Sequence, residues 1–231
     1  MQVDTLSRLN VARAASRSVC LVTAIPDGEQ RLVYGDDRAA GDPVDDEAWE
    51  ACQRALRDDR SQMLENDAGR RFIQAFNPPL RMLVIGAVHI TQALAPMAQI
   101  AGYEVTVIDP RRAFASDARF PGVTVETDWP DEVLERLGLN HRTAVVTLTH
   151  DPKLDDPALD VALRSDAFYI GSLGSKRTHG ARLERLRRAG FDEDALARIH
   201  GPIGLPLGAK SPAEIAISAI AQITQALRAS R

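Results

Sequence analysis

The chain has 231 residues, 45% of them hydrophobic, with a formal net charge of -4 and a pI near 5.8. That length and composition suit one large domain, or an ordinary domain with a small companion, around a real hydrophobic core. The acidic balance argues against a nucleic-acid binder, and no apolar run approaches the ~20 residues of a membrane span or forms a signal-peptide core near Met1.

A short helix is expected near the start, followed by a strand at Val19-Cys20-Leu21-Val22-Thr23-Ala24-Ile25 and another at Arg31-Leu32-Val33-Tyr34. The turn Pro26-Asp27-Gly28-Glu29 between them predicts a hairpin. Asp45-Asp46 offers a helix N-cap ahead of Trp49, Cys52, Ala55 and Leu56 at helical spacing. Residues 61–71 read as polar, and Arg71 to Phe76 as one more strand. Cys20 and Cys52 match no metal or redox spacing, so a reduced, cytoplasmic setting is expected and no metal ligand is assigned. Asn77-Pro78-Pro79 resists both helix and ladder pairing, which divides the chain into a small α+β domain (1–77) and a larger one (80–231).

From Arg81 strands and helices alternate. Strands are expected at Arg81–Ile85, Tyr103–Asp109, Val123–Val125, Thr143–Leu148 and Ala167–Ile170, with helices after His89, at Asp131–Leu137, Pro157–Arg164 and Lys176–Ala189, and a capped last helix from Ser211-Pro212-Ala213-Glu214. This alternation predicts an α/β, Rossmann-like, mostly parallel sheet with helices on both faces. In such sheets ligands sit beyond the carboxyl ends of the strands, and four polar stretches fall there.

The first is Gly86-Ala87-Val88-His89, a strand-to-helix turn whose free amides suit an anion. Only Gly86 of the dinucleotide fingerprint stands, and Val88 brings a Cβ where a pyrophosphate needs none. The second is Asp109-Pro110-Arg111-Arg112, where an acid reads a ribose hydroxyl and Arg111 meets a phosphate, unless Asp109 only fixes its loop. The third, Thr149 to Pro157, crowds His150, Asp151 and Lys153 behind a buried strand. His150 suits acid–base work and Lys153 an anion, while the carboxylates of Asp155-Asp156 either bind a hard metal or, the favoured reading, serve as a plain N-cap for the next helix. The fourth, Gly171-Ser172-Leu173-Gly174-Ser175-Lys176-Arg177, has the composition of an oxyanion cradle, against the plainer reading of Ser175 as a cap and the two cations as solvated. His200 in the loop to Leu205 reads as structural.

Taken in order, Ile85–His89, Val107–Arg111, Arg119-Phe120-Pro121, Leu148–Lys153, Ile170–Ser175, Arg198–Leu205 and Ser211–Ala216 resemble the xanthine dehydrogenase accessory family of the XdhC/CoxI type. The resemblance implies a cofactor-binding chaperone, more than an enzyme, that holds molybdenum cofactor (molybdopterin) during its sulfuration and insertion into a molybdenum hydroxylase such as xanthine or carbon monoxide dehydrogenase. It implies the apo-enzyme as partner, and allows a cysteine desulfurase and a homodimer. Where the family commonly has Gly-Ala-Gly-His this chain has Gly86-Ala87-Val88-His89, and residues 1–77 lack the family's Gly-Gly-Cys segment. The competing readings are an NAD(P)-dependent oxidoreductase, with Asp109 or Arg111 on the ribose and His150 as acid, and a pure interaction scaffold.

Overall fold

The computed structural model describes residues 3–67, 69–116 and 118–229. Between Pro78 and Pro79 the chain separates into two units.

In the first unit, α1 (Val3–Ala14) precedes the hairpin of β1 (Val19–Ala24) and β2 (Gln30–Tyr34). Helix α2 (Asp46–Arg57) follows, capped by the Asp45 carboxylate on the Ala48 amide at 2.8 Å. Strands β3 (Gln62–Asn66) and β4 (Gly69–Phe76) complete an antiparallel sheet in the order β2-β1-β4-β3. Alternate residues of β1 serve opposite faces: Cys20 and Val22 pack with α2, Val19 and Leu21 with α1. A strand covered on both faces reads as a continuous apolar run, which is why β1 is plain in the sequence. Strand β3 is not. It lies at the sheet edge with half-buried and exposed residues alternating, so its composition is that of a polar loop. Both cysteines are free and buried, and the Cys20 thiol donates to the Cys52 carbonyl at 3.6 Å. Cys52 and burial push the Cys20 thiol well above its ordinary range, the reverse of what a nucleophilic or sulfur-carrying thiol needs.

The second unit is a six-stranded, wholly parallel sheet in the order β10-β9-β8-β5-β6-β7. Its strands are β5 (Leu80–Ile85), β6 (Tyr103–Ile108), β7 (Thr124–Glu126), β8 (Thr143–Thr147), β9 (Tyr169–Ser172) and β10 (Ile199–His200). Helices α3 (His89–Ile100) and α8 (Pro212–Ala229) cover one face with Met82, Val84, Val105 and Val146 beneath them. Helices α4 (Pro130–Leu137), α5 (Pro152–Leu163) and α6 (Lys176–Arg188) cover the other, over Leu83, Ile85, Val145 and Ile170. A short helix α7 (Glu193–Ala197) leads into β10. These faces account for the apolar runs of β5 and β8 and agree with the Rossmann-like expectation.

Three details differ from the expected elements. Helix α5 starts at Pro152, not Pro157. Asp151 is the cap, accepting from the Lys153 amide at 3.0 Å, and Pro152 stands at the first position, where a missing N–H costs nothing. Asp155 and Asp156 are therefore one turn inside the helix and do not cap it, and Pro157 lies within it. Strand β9 runs two residues later than expected, which places Gly171 and Ser172 in the sheet. Helix α7 and β10 are too short to show a period in the sequence. The start of α8 is as expected: Glu214 accepts from the Lys210 and Ser211 amides at 2.7 and 2.9 Å while its own amide donates to Ser211 Oγ at 3.2 Å. Among the described residues no helix is long and apolar enough to cross a membrane.

Candidate functional site

Chain order reverses at the centre of the parallel sheet, where β5 and β8 lie side by side and their outgoing connections part in opposite directions. The crevice at their carboxyl ends is the place such a sheet offers a ligand. Gly86 closes it on one side and Thr149 on the other. Gly86 has φ +112°, and a Cβ there would stand 2.7 Å from Thr149 Cγ2, so glycine is required by both conformation and space. Its amide donates to the Ile108 carbonyl at 2.9 Å, which ties the turn to β6. Val88 is the residue before α3, at φ -98°, an angle any residue adopts, and its side chain packs against the buried cluster under α3. No side chain caps α3, so its first turn presents backbone amides and the positive end of the helix dipole, with His89 exposed beside them.

Asp109 is fully buried at the end of β6. One oxygen accepts from the Arg111 amide (3.0 Å) and Nε (2.9 Å), the other from the Ala87 amide (2.8 Å) and Arg111 Nη2 (2.8 Å). These four bonds correct the expectation that Asp109 reads a ribose: its carboxylate locks two loops together and leaves Arg111 as the group nearer solvent. Burial works to raise the Asp109 carboxyl, but the Arg111 guanidinium and the two amides hold it below the usual carboxylate value of 3.8. A depressed folded value stabilises above the unfolded one and is lost as pH falls through the folded one. Asp109→Asn is accordingly expected to cost about 2 kcal/mol at neutral pH, with the gap to the parent narrowing below about pH 4, as read from urea unfolding across pH.

The β8–α5 loop is built on Asp155, which is 1% exposed. Its carboxylate accepts from Thr149 Oγ1 at 2.6 Å and from the His150 amide at 3.1 Å, and the Asp151 amide donates to Thr149 Oγ1 at 3.0 Å. This holds His150 at φ +64°, an uncommon conformation for a residue with a Cβ, and leaves His150 and Lys153 exposed on the rim. Behind Asp155 lies Arg182 of α6, 1% exposed, with Nη2 3.9 Å from the carboxylate and 2.8 Å from the Leu173 carbonyl that accepts from it. Burial lowers the Arg182 guanidinium and raises the Asp155 carboxyl. Sequence reasoning missed Arg182. Its signal was its place four residues before Leu186, on the buried stripe of an otherwise charged helix.

The glycine-rich stretch at the end of β9 is narrower than its composition implied. The Ser172 hydroxyl is fully buried and paired with that of Thr147, and Gly171 is packed where a Cβ would stand 2.6 Å from the Tyr169 ring. Both belong to the sheet, where the Ser172 hydroxyl is consumed by Thr147 and Gly171 serves close packing, so neither forms part of a cradle. What faces the edge is Gly174 (φ +147°), Ser175, Lys176 and Arg177. Ser175 Oγ caps α6 by accepting from the Thr178 amide at 3.1 Å, and the two cations are exposed. His200 stacks on Tyr169 with ring centroids 4.7 Å apart, and burial lowers its pKa, a structural role. The edge thus gathers Gly86, Val88 and His89, the Asp109–Arg111 lock, His150 to Lys153 and Gly174 to Arg177.

The family model described as the XdhC Rossmann domain matches residues 82–223. Among curated proteins the chain is similar to the uncharacterized protein YqeB of Escherichia coli K12, 32% identical over 156 residues that cover 67% of this chain and 28% of that one. It is also similar to the molybdenum cofactor insertion chaperone PaoD of the same strain, 30% identical over 152 residues (66% of this chain, 42% of that one). A third relative, from Bacillus subtilis 168 and named as a probable xanthine dehydrogenase component, is 30% identical over 155 residues (67% and 45%). These matches span less than half the length of the curated relatives. Among solved structures, a xanthine dehydrogenase from Bacillus halodurans superposes with a TM-score of 0.71 at 24% identity, over 99% of this chain and 65% of that one, a likeness of fold. With the family model covering more than half its length, on a sheet whose order and crevice are those of a nucleotide-binding fold, the chain belongs to the XdhC Rossmann domain family.

Proposed function

We propose that this chain holds molybdenum cofactor, as cargo, at the carboxyl edge of its parallel sheet and assists maturation of a molybdenum hydroxylase. The observation that carries the reading is membership of the family, together with a relative named as a molybdenum cofactor insertion chaperone. The geometry supports it. Molybdopterin carries a phosphate, and the uncapped start of α3 beside Arg111 offers amides, a helix dipole and a cation to such a group. Gly174 to Arg177 add a second electropositive wall at the same edge. The residues proposed to touch the cargo are Gly86, Val88, His89 and Arg111 on one side and His150, Asp151, Gly174, Ser175, Lys176 and Arg177 on the other. In this reading the exposed rim residues His150 and Lys153 are the groups that would move a proton during sulfuration of the cargo. A client apo-enzyme, a cysteine desulfurase and a second copy of the chain are the partners this reading calls for.

The test is purification from a host that makes molybdopterin, followed by oxidation and fluorescence detection of the released pterin. A stoichiometric pterin signal is expected, and its loss in a Lys176→Ala, Arg177→Ala variant would place the α6 wall in the site. No pterin, together with a melting temperature raised by NAD(H) or NADP(H), would replace the reading by a nicotinamide one, since ligand at 100 times its Kd adds about 2.7 kcal/mol.

A further inference from the structure

Phe114 has no place in the site described so far, yet it is 47% exposed in the loop that leaves β6. That ring is not a loose surface residue. The Arg111 guanidinium carbon lies 4.9 Å from its centroid, and Arg111 is itself held bidentately on the fully buried Asp109 carboxylate. The Phe114 amide donates to the Arg111 carbonyl at 2.8 Å. Its carbonyl accepts at 2.7 Å from Arg119 Nη1, which also donates to the Ala87 carbonyl at 2.8 Å, while Arg119 Nη2 reaches Gln92 Oε1 at 3.2 Å. Phenyl ring, guanidinium and the β5–α3 turn are therefore one pinned assembly beside the uncapped start of α3. Beyond its Asp109 partner, the carboxylates of Asp151 and Asp155 also raise the Arg111 guanidinium. A rigid, half-exposed aromatic face next to an anion-accepting helix start matches a ligand that is flat at one end and phosphorylated at the other.

We propose that Phe114, backed by Arg111, is the stacking platform for the flat heterocycle of the cargo, with the cargo's phosphate directed to the first turn of α3. This rests on the cofactor-cargo reading above and names the part of the site that recognises a ring rather than a phosphate. Stacking of a flat heterocycle on an aromatic side chain is worth about 1–3 kcal/mol, or roughly 5- to 150-fold in affinity. The Arg111 guanidinium fixes the ring before the ligand arrives, so little ordering remains for binding to oppose.

The experiment titrates 6-hydroxymethylpterin phosphate against the full chain, its Phe114→Ala variant and its Phe114→Trp variant, reading pterin fluorescence, with inorganic phosphate as competitor. A rise in pterin fluorescence anisotropy with binding is expected for the parent. Phe114→Ala should weaken affinity roughly 5- to 150-fold, with a melting temperature lowered only slightly, since the half-exposed ring gives up one cation–π contact with Arg111. Phe114→Trp should keep the affinity and add quenching of the pterin by the indole, and phosphate should compete as well against the variant as against the parent. If the parent copurifies with pterin and Phe114→Ala binds the probe as the parent does, the platform falls and the cargo reading stands. If the parent neither copurifies with pterin nor binds the probe, both fall.

Discussion

Arg182→Met is expected to destabilise the second unit by about 3–5 kcal/mol, because it strands a buried carboxylate. Asp155 and Arg182 are each 1% exposed, and the guanidinium 3.9 Å away is the buried counter-charge of the carboxylate, which Arg111 and Arg185 also attract. Methionine fills much of the volume but leaves Asp155, still bonded by Thr149 and the His150 amide, without its buried counter-charge, and leaves the Leu173 carbonyl without the Arg182 donor. Urea unfolding followed at Trp129, in a Trp49→Phe background, reads the second unit alone. A double-mutant cycle with Asp155→Leu should be non-additive by about 1 kcal/mol or more, since removing both charges removes the penalty of leaving one. Additive losses would show that the two act independently.

The same pair has a pH signature opposite to that of Asp109. Burial raises the folded Asp155 carboxyl above its ordinary value of 3.8, so the folded state binds its proton more tightly than the unfolded chain. Its contribution is then most favourable below that ordinary value and falls as pH rises toward the folded one, whereas the contribution of Asp109 grows as pH rises through its own range. In Arg182→Met the guanidinium no longer draws the Asp155 carboxyl down, so the pH window of that loss extends upward.

Gly86→Ala should cost roughly 3 kcal/mol and displace the β8–α5 loop with it. Two penalties combine: a left-handed backbone for alanine, about 1–3 kcal/mol, and a Cβ in contact with Thr149, of similar size. The Cβ would stand 2.7 Å from Thr149 Cγ2 and 3.4 Å from the Thr149 amide nitrogen, and the backbone is at φ +112°. Thr149 cannot rotate freely away, because its hydroxyl donates to Asp155 and accepts from the Asp151 amide. The loop that carries His150 must therefore shift, and the chemical shifts of the His150 ring should move in the variant. A stable Gly86→Ala protein with an unchanged His150 spectrum would show that the turn tolerates a side chain. Val88→Gly is expected to matter less, since φ -98° demands no glycine.

Most of the second unit was legible in the sequence because its strands are covered on both faces. β5 and β8 announce themselves as apolar runs ended by Gly86 and by Thr149-His150, and α8 by its capping box. The elements that escaped lacked a periodic burden: β3 is a half-exposed edge strand, and α7 with β10 spans too few residues to repeat. Pro157 misled for a specific reason. It looks like a first-turn proline, but Asp151-Pro152 already provides that start more than a turn earlier.

By itself the sequence determined that a parallel α/β sheet would begin at Arg81, that its carboxyl edge would carry His150, Lys153 and two glycine-bearing turns, and, through the resemblance of seven ordered motifs, which family was in play. Such features follow from local patterns: burial on both faces, caps and turn chemistry. Only the tertiary structure decided which polar groups face the crevice and which are consumed in holding it. Asp109, Ser172 and Asp155 looked alike as polar residues near strand ends, yet each proves buried and bonded, by Arg111 and Ala87, by Thr147, and by Thr149 and His150. Arg182, a residue in a charged helix, became the counter-charge, and Phe114, an unremarked loop residue, became a fixed aromatic face. The physical reason is range. A cap or an apolar stripe is read within one turn of chain, whereas, Arg111 apart, the partners of these buried groups lie 5 to 27 residues away, within the β8–α5 loop for Thr149 and His150 and across a parallel crossover for Ala87, Thr147 and Arg182.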